Sequence, residues 1–92
     1  MSRKPVLSPL DLRNGETIGQ RIAKIRKKLG LTQDELGQKI GIKRSMVSDY
    51  EIGRAKLYDD MIARFAITLE VSTDYLIGLT DNTELLSKMK EP

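Results

Sequence analysis

The 92-residue sequence predicts an all-α fold, a compact domain of five helices. Three observations predict it. Apolar residues recur at helical spacing, in Ile18, Ile22, Ile25 and Leu29 and again in Ile62, Phe65, Ala66 and Leu69. Each such stretch is bounded by helix punctuation, with a hydroxyl or acidic residue at its start or a glycine at its end. No run of β-branched residues alternates with polar ones long enough to make a strand.

The elements follow in order. The first helix carries Ile18, Ile22, Ile25 and Leu29 on one face and stops at Gly30. The second opens with L-T-Q-D-E-L, in which Thr32 and Glu35 have the spacing of a capping box, each side chain satisfying a free amide at the helix start. It turns Leu36 and Ile40 inward and ends at Gly41. The third runs from about Lys43 to Ile52 and is closed by Gly53. A loop holding Arg54 and Lys56 leads to the fourth, where Asp59 and Asp60 suit the positive end of the helix dipole. Ser72 caps a last short helix containing Tyr75, Leu76 and Ile77, stopped by Gly78. Residues 1–15 read as an N-terminal arm, 16–80 as the domain and 81–92 as a C-terminal tail, with both ends loosely ordered.

Composition excludes several chemistries. The chain has no cysteine and no histidine, so it lacks thiolates, the commonest metal ligand and the commonest general base. No metal, cofactor or small-molecule ligand is expected. The pairs Asp34/Glu35 and Asp59/Asp60 are explained as helix-start residues, and no enzyme activity is expected. No window is apolar for long enough to span a membrane, and the N-terminus, interrupted by Pro5 and Pro9, is not a secretory signal. A soluble cytoplasmic protein is the expectation. Charge is divided unevenly: residues 1–56 hold 13 Lys/Arg against 6 Asp/Glu, whereas 57–92 hold 3 against 7. A basic half joined to an acidic half fits a polyanion facing one side.

Residues 33–52 form one unit. Leu36, Ile40, Ile42, Val47 and Tyr50 supply an apolar seam, Gly37 leaves room for a close crossing, and Gly41 permits the turn. That is the pattern of two helices meeting steeply through a tight turn. With I-G-Q-R-I-A-K-I-R-K-K-L-G-L-T-Q-D-E-L-G-Q-K-I-G-I, S-M-V-S-D-Y-E-I-G and V-S-T-D-Y-L-I-G-L-T-D, residues 17–79 resemble the Cro/repressor (XRE-type) helix-turn-helix family. The resemblance implies a lambda-repressor-like domain binding double-stranded DNA, with the third helix in the major groove.

It also implies roles for single residues. On a helical wheel Met46, Val47 and Tyr50 face the domain, while Arg44, Ser45, Ser48, Asp49 and Ile52 face away. Arg44, Ser45, Ser48 and Asp49 are the expected base contacts; an arginine can donate two hydrogen bonds to guanine, and an aspartate can accept from cytosine. Gln33, Lys43, Arg54 and Lys56 are the expected phosphate contacts. Arg26 and Glu51 are expected to form a structural ion pair between the first and third helices. The sequence departs from the family at Lys43, where a capping Ser or Thr is usual, and at Ile52, where a polar residue is common. The implied function is a sequence-specific transcriptional regulator, a repressor acting as a homodimer. An antitoxin or phage-type control protein stays open within DNA binding, and a protein-interaction adaptor stays open as a different class.

Overall fold

The computed structural model describes residues 16–83. The arm at 1–15 and the tail from residue 84 onward lie outside the described residues. Five helices follow one another: α1 (Ile18–Lys28), α2 (Gln33–Ile40), α3 (Arg44–Ile52), α4 (Asp59–Leu69) and α5 (Thr73–Ile77).

Their starts are set by short-range hydrogen bonds. Thr32 and Glu35 form the expected capping box, with Glu35 N donating to Thr32 Oγ1 at 3.0 Å and Thr32 N to Glu35 Oε1 at 2.8 Å. A second box, unremarked in the sequence, opens α1: Gln20 N donates to Thr17 Oγ1 at 3.1 Å and Thr17 N to Gln20 Oε1 at 2.8 Å. Ser72 caps α5, accepting from Tyr75 N at 3.0 Å. Lys43 precedes α3 without any side-chain cap, as a cationic side chain with no acceptor must.

The core sits where all five helices converge. Ile22 and Ile25 of α1, Leu36 of α2, Val47 of α3, Phe65 and Leu69 of α4, and Tyr75 and Leu76 of α5 are buried together. Tyr50 meets Phe65 edge to face, with ring centroids 5.8 Å apart, which sets α3 against α4. One expected core residue is misplaced. Leu29 is exposed, because α1 ends at Lys28 and the chain turns through Leu29 and Gly30; Leu31 packs against the core instead.

Two glycines permit close helix approach. A Cβ on Gly37 would lie 2.6 Å from the Ile42 carbonyl oxygen, so the missing side chain admits the turn itself. A Cβ on Gly19 would lie 2.2 Å from Tyr50 O and 2.6 Å from Glu51 O, so α1 touches the backbone of α3 there. Gly41 adopts φ 92°, the left-handed conformation that turns the chain from α2 into α3.

Candidate nucleic-acid interface

α2 and α3 form the helix-turn-helix, and a buried polar cluster fixes their relation to α1. Arg26 Nε donates to Glu51 Oε2 at 2.6 Å, and its Nη2 to Oε1 at 3.2 Å. Its Nη1 donates to the Leu31 carbonyl at 2.8 Å. Gln33 Nε2 donates to Glu51 Oε1 at 2.9 Å. Arg26 and Glu51 are 9% and 7% exposed, so their charges are balanced inside the protein rather than by water. One carboxylate near the end of α3 thereby ties α1 to the start of α2, and Arg26 in turn holds the α1–α2 turn at Leu31.

This fixes the outward face of α3. Arg44 and Ser45, in its first turn, are exposed, whereas Ser48 and Asp49 are half-buried. Asp49 Oδ1 lies 3.8 Å from Arg54 Nη1, a loose pair at the surface. Val47 is buried and Met46 and Tyr50 half-buried on the inward side. Lys43, Arg54 and Lys56 are exposed on either side of the helix. Gln33 differs from the other expected phosphate contacts. Its side-chain amide points to Glu51, which leaves its position at the start of α2 as its link to an anion. Chemically the face combines a guanidinium, two hydroxyls and a carboxylate, flanked by three cations; such a surface can hydrogen-bond base edges and sit between phosphate rows.

Sequence reasoning missed Arg21. It is 1% exposed, and its guanidinium lies 4.5 Å from the Tyr75 ring centroid. Its Nη1 donates to the carbonyls of Tyr75 at 3.1 Å and Thr80 at 2.9 Å, and its Nη2 to Asp81 Oδ1 at 2.7 Å. Its Nε lies 3.2 Å from Glu16 Oε1 but forms no aligned hydrogen bond there. Asp81, assigned to the tail from sequence, is thus tied back to α1. The available signal was the wheel: Arg21, three residues after Ile18 and four before Ile25, falls beside Ile25 at the edge of the buried stripe.

Among the described residues no helix is long and apolar enough to cross a membrane, and no three acidic side chains cluster to hold a metal. The helix-turn-helix family model matches residues 22–76, more than half of the chain. The chain belongs to the XRE-type helix-turn-helix family. This helix-turn-helix domain is 38% identical over 65 residues to the uncharacterized HTH-type transcriptional regulator YobD of Bacillus subtilis (strain 168), covering 71% of this chain and 58% of YobD. It is 32% identical over 77 residues to the HTH-type transcriptional regulator ImmR of the same organism, covering 78% of this chain and 61% of ImmR. The chain therefore spans about three fifths of these relatives. Among solved structures, the P22 c2 repressor in complex with a synthetic operator superposes with TM-score 0.64 at 30% identity, over 68% of this chain and 97% of the chain in that structure.

Proposed function

We propose that this chain is a sequence-specific DNA-binding transcriptional regulator that acts as a repressor, laying α3 in the major groove of double-stranded DNA. One observation carries the reading: Arg44 and Ser45 stand exposed on a helix whose far end is anchored by a buried carboxylate. A reading helix must be rigid relative to the rest of its domain, since free movement would blur which base each side chain meets. Support comes from relatives described as transcriptional regulators and from a repressor solved on its operator.

In this reading Arg44 pairs with a guanine edge, and Ser45, Ser48 and Asp49 contact neighbouring bases. Lys43, Arg54 and Lys56 contact phosphates, and Gln33 does so from the start of α2. Two copies bind as a homodimer, because one module reads too few base pairs to single out a site. The residues act by binding alone, and occupying a promoter would block transcription. The protein acts in the cytoplasm.

Selection of bound duplexes from a random pool, followed by a salt titration on the enriched duplex, tests this. The affinity should fall steeply as salt rises. Arg44→Ala should cost about 1–3 kcal/mol and relax preference at one base pair, whereas Lys56→Ala should weaken all duplexes alike and reduce the salt slope by about 1. A protein-interaction adaptor would instead enrich no sequence and bind duplexes weakly at every salt concentration.

A further inference from the structure

Arg21 sets the course of the chain beyond α5. It holds the Thr80 carbonyl at 2.9 Å and the Asp81 carboxylate at 2.7 Å. Arg21, Ile25 and Lys28 lie along one face of α1, and Leu29 follows just past its end. Ile25 stands about 6 Å along the helix from Arg21. The two residues from Asp81 to Thr83 span at most about 7 Å. Thr83 and Ile25 are in fact walls of one groove of about 190 Å³, bounded by the end of α1 and by the α4–α5 turn. Ile25, Leu69 and Val71, all buried, line the groove, and Leu29, 51% exposed, flanks them. Lys28 and Glu70 bring one charge of each sign to it.

From Thr83 the chain continues E-L-L-S-K-M. Leu85 and Leu86 come two and three residues on, and Met89 follows Leu85 by four, so the three share one side of a helical turn. Glu84 and Lys88 stand four apart in the order that favours such a turn. Their two signs match those of Lys28 and Glu70. We infer that residues 84–89 of this chain strap back along α1 and seat Leu85 and Leu86 in the groove, against Leu29. The occupant is the chain's own tail because the chain is clasped at Asp81 and already lies in the groove wall at Thr83. Leu85 is then within about 7 Å of that wall whatever course it takes. Such a tether gives it an effective concentration that an unattached partner lacks. None of these side chains is among the candidate DNA contacts, so the strap is independent of the DNA-binding reading.

The full chain has no cysteine, so two introduced cysteines report their own meeting. Leu29→Cys is combined with Leu85→Cys in one variant and with Leu86→Cys in another, and each is oxidised mildly at low concentration. At least one pair should close within a single chain, since a disulfide requires Cα atoms about 4.4–6.8 Å apart. The controls pair the same tail cysteines with Ile67→Cys, on α4, 75% exposed and no part of the groove; these should close more slowly. In an otherwise unaltered chain, Leu85→Ser with Leu86→Ser should lower the melting midpoint by about 4–8 °C. Leu29→Ser should lower it in wild type but add little in the tail variant, because the contact is already gone. The strap is overturned if neither groove pair outpaces its control, or if the serine effects simply add. It is overturned equally if the disulfides join two chains, which would give the groove to the tail of a second copy.

Discussion

Arg21 and Arg26 stand on one helix, five residues apart, and both are buried, yet they are balanced differently. Arg26 faces the carboxylate of Glu51, itself buried, and through it holds the reading helix. Arg21 is held mainly by backbone, its Nη1 donating to the carbonyls of Tyr75 and Thr80, and it stacks on the Tyr75 ring. Its carboxylate partners, Glu16 and Asp81, lie at the solvent edge, with Asp81 61% exposed. A charge matched by a buried charge is stranded when its partner goes; a charge matched at the surface can fall back on water. The two arginines therefore secure the two ends of the domain with unequal sensitivity. Arg26 secures the end that presents α3, and Arg21 the end where the described chain begins and stops.

The sharpest way to break this contrast is to remove Glu51. Glu51→Ala should cost about 3–5 kcal/mol in denaturant unfolding, because it leaves Arg26 buried without a countercharge. A loss below about 1 kcal/mol, the size of an exposed pair, would erase the distinction. Arg21→Met should be milder, about 1–3 kcal/mol, since it orphans two carbonyls but strands no buried charge. Asp81→Ala should cost less again, as its carboxylate is largely in water.

A smaller effect lies at the start of α3. Lys43→Ser would supply the missing cap and remove a cation from the positive end of the helix, stabilising the free protein by about 1 kcal/mol. The same change should weaken duplex binding if Lys43 meets a phosphate. Stabilisation with unchanged affinity would remove Lys43 from the interface.

The smallest effect separates the two capping boxes. Hydrogen bonds from the Thr32 backbone amide and then its hydroxyl hold the Glu35 carboxyl below its ordinary value of 4.5. A depressed carboxyl contributes stability above its unfolded value and loses it as pH falls through the folded value, here below 4.5. Gln20, in the matching box on α1, does not titrate. Glu35→Gln keeps an acceptor but no charge, so the stability gap between it and wild type should shrink in that acid range. Denaturant midpoints of both proteins across the range would show it, and a constant gap would mean that the charge contributes nothing.

Most of the helix positions were legible because their signals are local. Thr32 with Glu35, Ser72, Gly41 and Gly53 act within one turn of their own chain, so spacing alone predicts their bonds. Leu29 was misplaced because apolar periodicity continues past the residue at which the chain turns; only the position of Gly30 in space shows that Leu29 has left the buried stripe. The outward face of α3 was half legible. The wheel separates Arg44 and Ser45 from Val47, but it cannot register that Asp49 sits half-buried within reach of Arg54, or that Gln33 has turned toward Glu51.

The sequence by itself determined the helical class, the helix-turn-helix unit and the polarity of its third helix, since these follow from periodicity, caps and turns a few residues long. Tertiary structure decided how that helix is held. Gly19 lies 31 residues from Tyr50 in the chain, and Arg21 finds carbonyls 54 and 59 residues away. Backbone oxygens are the same at every position and leave no mark in a sequence. Which of them a buried guanidinium meets, and where two helices come close enough to exclude a Cβ, is settled only when the chain has closed on itself.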